Sequence, residues 1–316
     1  MNGKLFSVPK MVEDAKSAKK GLNWLLEILL FVAVFFVCNI GIALLLVAGE
    51  FIVIFNNADY VNAVKAGNEL LASVYLNNIL SGDMFLIITL ICEIAMIGLT
   101  LLFCKLIQKR KMSTLGFVKK GMVKEYLIGL AVGFGIFSAG VLIAVVTGSI
   151  KINGISATCS LGILISYAIG FMIQGMAEEV LCRGYFMVSY ARKHSVISAI
   201  LINSVVFAAL HLTNSGIDLL SFINLVLFGI FASVYFLRRG SIWGIGALHS
   251  VWNFAQGNFY GIKVSGMNIR TSVLDTTEVA GMEIFNGGAF GLEGSICVTI
   301  VLLAGIVIMY LQKEKQ

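Results

Sequence analysis

Eight long apolar stretches constrain the fold of this chain more than any other feature of its sequence. A helix of about 20 apolar residues is long enough to cross the hydrocarbon core of a bilayer. The stretches that reach or approach this length are residues 23–52, 84–107, 126–147, 161–191, 196–213, 219–237, 241–258 and 294–311. The composition agrees, because 59% of the 316 residues are hydrophobic and only 13% are charged. The sequence therefore predicts an all-α, polytopic transmembrane helix bundle of about eight spans, embedded in a lipid bilayer.

The basic residues predict how this bundle lies in the membrane. Lys and Arg concentrate in cytoplasmic loops of membrane proteins. If the N-terminus is cytoplasmic, all but four of the 23 Lys and Arg residues lie on that side, the exceptions being Lys65, Lys151, Lys263 and Arg270. We therefore expect residues 1–22 to form a cytoplasmic tail, residues 23–316 to form one transmembrane domain, and both termini to be cytoplasmic.

The formal net charge of +6 does not indicate a nucleic-acid partner. In a membrane protein an excess of lysine usually reflects topology. No basic patch in the sequence is interleaved with stacking aromatic residues, as nucleic-acid binding would require. We expect no nucleic acid among the partners.

Charged residues are rare inside apolar spans, because inserting each one at the bilayer centre costs roughly 3 kcal/mol of free energy. Those that occur are therefore candidates for a functional role. Three glutamates stand alone in such spans. Glu27 and Glu50 fall near the ends of their spans, and Glu93 lies deeper, where it could line a cavity but has no visible partner. We interpret all three as structural.

The segment QGMAEEVLCRGYF, residues 174–186, differs because its ionisable residues form a group. Glu179 and Arg183 are four positions apart, so they share a helix face and can neutralise one another. Glu178 points about 100° away around the helix and has no expected partner in its own span. Taken alone, the group could be a salt-bridged link between helices, but two further motifs follow it.

Two of the three histidines lie downstream in apolar segments. His211 ends FAALH, while His249 and Asn253 in HSVWN are four positions apart, so an imidazole and an amide point the same way. The third, His194, lies in the polar turn ARKHS, and we interpret it as a solvated loop residue. A lone histidine on an apolar helix is more often a packing residue, but this arrangement favours function.

The position of the polar turn ARKHS allows the first two motifs to meet. In an antiparallel helix pair, Glu178 and His211 face one another if the turn falls midway, near residue 194 or 195. Distances along the helices then place the site near mid-bilayer or in its cytoplasmic half.

These side chains suit the hydrolysis of an amide bond. A carboxylate with an imidazole can orient a water and take its proton, and a second histidine with an amide can stabilise the oxyanion. Alternatively, Glu178, His211 and His249 could hold a Zn²⁺ ion whose bound water becomes the nucleophile. The chain contains no HExxH motif and no CxxC pair. The residues alone leave the choice between no cofactor and zinc open.

The order EEVLCR, FAALH, HSVWN resembles the CAAX prenyl endopeptidase and bacteriocin-processing (CPBP, or Abi) family of intramembrane proteases. The pattern of that family is EExxxR, FxxxH and HxxxN on consecutive helices of an eight-span core. The resemblance covers Leu161 to Phe254 within a core that we place at about 126–258. It implies that Glu179 and Arg183 shape and hold the first motif. One departure is Cys182, where many members carry an aromatic residue, and it concerns packing.

The resemblance also implies a function for each remaining motif residue. Glu178 would be the general base acting on water, His211 would position that water, and His249 with Asn253 would form the oxyanion site. The family is classed with metalloproteases, although a metal-free glutamate mechanism is also argued for it, and we favour the metal-free mechanism.

The resulting prediction is an endopeptidase of a bacterial cell membrane that cuts a protein or peptide substrate at the membrane. The resemblance suggests CAAX-type processing, processing of a bacteriocin or signal peptide, or self-immunity, and nothing in the sequence indicates a prenyl group. The alternative is a non-proteolytic scaffold or regulator that binds a partner protein, although a scaffold would be free to lose the four catalytic residues. A transporter is a third reading, but the inverted repeats and broken helices typical of transporters are not visible.

Overall fold

The computed structural model describes residues 9–18 and 20–312, and most of these residues are helical. The helices of the first half are α1 (Lys10–Ala18), α2 (Trp24–Asn56), α3 (Ala58–Lys65), α4 (Glu69–Leu80), α5 (Asp83–Cys92), α6 (Ile94–Leu106) and α7 (Met122–Val146). The helices of the second half are α8 (Leu161–Glu179), α9 (Val188–Ala191), α10 (Val196–Ala209), α11 (Leu219–Arg239), α12 (Ile242–Phe254), α13 (Glu283–Asn286) and α14 (Ile296–Leu311). The predicted all-α membrane bundle is confirmed.

Within the described part of the chain, five helical runs are long and apolar enough to span a bilayer. They are Trp24–Asn56, Asp83–Leu106, Met122–Val146, Leu161–Ala191 and Leu219–Arg239. The other three predicted spans correspond to shorter helices, α10, α12 and α14. The prediction of 196–213 was too long, because α10 ends at Ala209 where the polar run HLTNSGID begins. The length of an apolar run therefore does not by itself fix where a helix ends.

The predicted tail is only partly within the described residues, since residues 1–8 and Lys19 lie outside them. Its described part contains α1, which buries Met11, Val12 and Ala15. This helix packs against α9 and the short turn at Met112–Leu115. The N-terminal helix is therefore docked on the bundle.

A small two-stranded sheet was not predicted. Strand β1 (Ile150–Ile155) pairs antiparallel with β2 (Leu274–Glu278), with a bulge between Ile152 and Gly154. The sheet joins the loop after α7 to the long loop before α14. Both strands are short and of mixed polarity, so neither gives a clear strand pattern.

Helix α12, which carries the third motif, lies between α7 and α8. Glycines make this close packing possible. A Cβ atom at Gly129 of α7 would lie 2.0 Å from the carbonyl oxygen of Gly244, and one at Gly175 of α8 would lie 2.5 Å from the backbone nitrogen of Ser250. Small residues at helix interfaces let backbones approach and provide much of the packing energy within a bilayer.

Replacing Gly129 by alanine is therefore expected to destabilise the protein by about 1–3 kcal/mol, as overpacking usually does. The matched control is Gly135→Ala on the same helix, where an added Cβ meets nothing within 4 Å. Alanine is the better helix former, so the control variant should be as stable as the parent or slightly more so. Thermal denaturation in detergent measures both, and equal midpoints would contradict the close packing of α7 on α12.

Candidate active site

The four predicted catalytic side chains line one cavity inside the bundle. The cavity has a volume of about 360 Å³, and its lining includes Glu178, His211, His249 and Asn253. Glu178 comes from α8, His211 from the turn that follows α10, and the other two from α12. A cavity of this size is in the range of ligand sites, and it is large enough for a short stretch of peptide.

Glu178 lies in a chain of hydrogen bonds that reaches the third motif. Its Oε1 accepts a bond of 2.6 Å from Nε2 of Gln174, and Oε1 of Gln174 accepts a bond of 2.9 Å from Nδ2 of Asn253. The expectation that Glu178 has no partner in its own span was therefore wrong, since Gln174 precedes it by one helical turn. The sequence signal for this pair is Gln174 in QGMAEE, which lies four positions before Glu178 and so on the same helix face.

His249 lies between the two adjacent glutamates. Its Nδ1 is 2.8 Å from Oε1 of Glu179, and its Nε2 is 3.8 Å from Oε2 of Glu178. The side chain is buried, and the ring of Phe228 packs edge-on against it at 4.9 Å between centroids. Glu179 thus accepts from Nδ1 and fixes the ring so that Nε2 points toward Glu178.

Glu179 also holds Arg183, as the sequence predicted. Nη1 of Arg183 donates to the same Oε1 of Glu179 at 2.8 Å, and both side chains are completely buried. The guanidinium lies 4.4 Å above the ring of Phe207, the aromatic residue of FAALH. Glu179 therefore does more than neutralise a neighbouring charge, because one oxygen serves both the arginine and His249.

The ring of His211 is oriented by backbone. Its Nδ1 is 2.9 Å from the carbonyl oxygen of Phe207, which can only accept, so Nδ1 carries the hydrogen and Nε2 is left as an acceptor. The sequence placed this histidine within a span, whereas the structure places it in the turn after α10. Phe207 thus contacts both Arg183 and His211, and it connects the first two motifs.

Both site helices change to π-helix at or just after their motif. The first π-helical segment, Val180–Met187, begins after Glu179 and contains Arg183 of the first motif. The second, Ala255–Phe259, begins after Phe254 at the end of α12. Such π-helical turns are rare and are frequent at functional sites. Nothing in the sequence analysis predicted them.

Arg110 supports the first π-helical segment from the loop between α6 and α7. Its Nη2 donates to the carbonyl oxygen of Gly184 at 2.9 Å, and its Nη1 donates to that of Tyr185 at 3.2 Å and to Oγ of Ser189 at 2.9 Å. Burial lowers the pKa of Arg110 to about 10, so the guanidinium is still a cation at neutral pH. From the sequence, Arg110 was distinguished only as one of the basic residues that predict the cytoplasmic side of the membrane.

The residues suggested as zinc ligands are not gathered as a metal site. Among residues 9–18 and 20–312, no group of three His, Cys, Asp or Glu side chains is placed to hold a metal ion. Nδ1 of His249 is used by Glu179, and its Nε2 lies beside Glu178. The donor set of Glu178, His211 and His249 does not fit zinc in this arrangement.

Residues 160–255 match the family model described as type II CAAX prenyl endopeptidase Rce1-like. No curated protein and no solved structure matches the chain significantly. The matched segment runs from the residue before α8 to the residue after α12 and contains all three motifs. It nearly coincides with Leu161–Phe254, on which the resemblance was based. Through this segment the chain is similar to the Rce1-like type II CAAX prenyl endopeptidases, in agreement with the family suggested by its motifs.

Proposed function

We propose that this protein is an intramembrane endopeptidase that hydrolyses a peptide bond in a membrane-associated protein or peptide. The observation that carries the proposal is the shared cavity of Glu178, His211, His249 and Asn253, which come from three separate parts of the chain. These groups are the parts needed to activate a water and to stabilise an oxyanion.

Glu178 is the general base in this mechanism. Its carboxylate takes a proton from a water that Nε2 of His211 holds as a hydrogen-bond acceptor, and the water oxygen attacks the carbonyl carbon of the scissile bond. The C–N bond then breaks, and Glu178 passes the proton to the leaving amine. Gln174 holds Glu178 in place for both transfers.

The oxyanion site is formed by the third motif. The amide of Asn253 has two N–H groups, of which one is bound to Gln174 and the other can reach the oxyanion. His249 donates from Nε2 when its ring is protonated, and the carboxylates of Glu178 and Glu179 beside it favour that cation.

Substrates of this enzyme lie at the membrane. The walls of the cavity are largely apolar side chains of the bundle, such as Leu86, Met96 and Phe228, so an extended peptide segment with apolar residues is accommodated. We extend the proposal to a bacterial cell membrane with both termini in the cytoplasm, in keeping with the distribution of basic residues. CAAX-type, bacteriocin or signal-peptide precursors are the substrate classes to test.

The function is tested by incubating the purified protein with a peptide library, with and without a chelator. We expect cleavage in both conditions, because Glu178 activates the water without a metal. Cleavage that is lost with the chelator and restored by zinc would contradict the metal-free mechanism. No cleavage of any peptide, by protein whose folding is verified by thermal denaturation, would contradict the proposed activity.

A further inference from the structure

The cavity is acidic to a degree that the catalytic groups do not explain. Among the described residues that line it are the three glutamates Glu93, Glu178 and Glu293, and none is a lysine or an arginine. Glu293 has donors for both of its oxygens, and Glu178 has one for Oε1, while Oε2 of Glu178 is buried without a partner in the described structure. Glu178 accepts from Gln174, and Glu293 accepts from Nε1 of Trp252 and from the backbone nitrogen of Ser265.

Glu93 has no such donor for its Oε2. This oxygen is inaccessible to solvent and has no hydrogen-bond partner in the described structure. Burying an acceptor without a donor costs about 1–3 kcal/mol, and more for a charged group. An unsatisfied group of this kind therefore needs an explanation. Because Glu93 lines the cavity, a rotation of its carboxyl group would turn this oxygen toward a ligand that supplies the missing donor.

The position of Glu93 places it beside the reacting groups. It stands at the break between α5 and α6, which both pack against α8, while α12 also packs against α8. Glu93 and Glu178 line the same cavity. The side chains of α5 and α6 that share the cavity with Glu93 are Leu86, Thr89, Leu90 and Met96, of which none carries a charge.

A cation is the ligand that suits this environment. An ammonium or guanidinium group supplies both the N–H donor and the positive charge, and charge-assisted hydrogen bonds are about twice as strong as neutral ones. A neutral side chain without an N–H or O–H group would leave Oε2 of Glu93 without a donor.

We propose that Glu93 forms a specificity subsite for a lysine or arginine side chain of the substrate, next to the scissile bond. The proposal rests on the proposed peptidase function and adds the class of substrate. In this arrangement the scissile bond lies between Glu178 and the third motif. The cationic residue lies in the part of the peptide that contacts α5 and α6.

Binding to a protein that cannot cleave provides the test. Peptides from the library are acetylated and amidated, so that side chains carry the only charges, and lysine is compared with norleucine at each position in turn. In the Glu178→Gln background we expect lysine to be preferred at one position by about tenfold or more. Adding Glu93→Gln should reduce that preference to about threefold or less, whereas Glu93→Asp should retain most of it.

The matched control is Glu50→Gln, since Glu50 is another glutamate in an apolar span and lies outside this cavity. It should leave the preference for lysine unchanged. A flat preference at every position, or a preference that Glu93→Gln does not reduce in a protein that remains folded by thermal denaturation, would overturn the subsite.

The outcome separates this proposal from the proposed function. If the parent protein cleaves peptides but binds lysine and norleucine equally, the subsite is wrong and the peptidase stands. If no peptide is cleaved but the preference for lysine depends on Glu93, the subsite stands as a binding site and the peptidase is wrong.

Discussion

Replacing Glu178 by glutamine is expected to reduce peptide hydrolysis by at least about 10²–10⁴-fold and to leave the protein folded. The loss is that of a general base, which contributes a factor of this size. Glutamine has the same shape, and its carbonyl oxygen can still accept from Gln174, so the hydrogen bonds of α8 are kept. Initial rates on a peptide from the library, together with the thermal denaturation midpoint, measure the two effects separately.

Glu50→Gln is the control for this variant, because it removes the charge of a glutamate on α2 that lines a different cleft. Its rate should equal that of the parent protein. A Glu178→Gln protein that hydrolyses at the parental rate would show that another group is the base. If the variant loses hydrolysis but keeps the full cellular phenotype, the physiological function is that of a scaffold or regulator.

The sequence predicted the positions of the helices well because one property, the length of an apolar run, determines them. The same property could not predict where α10 ends. That end depends on the polar run after Ala209, and it places His211 in a turn and not in a helix. His211 lines the cavity, but its position in a turn was not predicted.

Partners across helices were harder to predict than partners along one helix. The pairing of Glu179 with Arg183 follows from helical periodicity and was predicted. The contact of the same carboxylate with His249 depends on how α12 packs against α8, which no local pattern encodes. The sequence indicated a structural role for Glu93 for the same reason, since Glu93 and Glu178 come to line one cavity only in three dimensions.

The π-helical segments are the part of the site that the sequence hid most completely. Val180–Met187 reads as ordinary apolar helix, and its geometry is supported from outside by Arg110. A residue of the loop before α7 thus helps to shape a segment more than 70 positions later, as the hydrogen bond to the carbonyl oxygen of Gly184 shows. Local structure can be predicted from sequence when residues close together in the chain determine it. The π-helical segment Val180–Met187 instead depends on contacts with a residue that is distant in the chain.

Replacing Glu179 by leucine is expected to destabilise the protein by about 3–5 kcal/mol, because the buried charge of Arg183 is then left uncompensated. Adding Arg183→Met removes that charge, and replacement of a buried ion pair by apolar side chains is often neutral or stabilising. We therefore expect the double variant to recover most of the lost stability, as measured by thermal denaturation in detergent.

Hydrolysis should not recover with it. His249 has lost the acceptor for its Nδ1 in both variants, so its ring is no longer fixed with Nε2 toward Glu178. Removing the partner that orients a functional histidine costs about 10²-fold or more in activity. Glu179→Gln, which keeps an oxygen acceptor for His249, should retain more activity than the double variant even though it is less stable. If the double variant hydrolysed peptides at the parental rate, Glu179 would serve only to neutralise Arg183, and its assignment as the residue that positions His249 would be wrong.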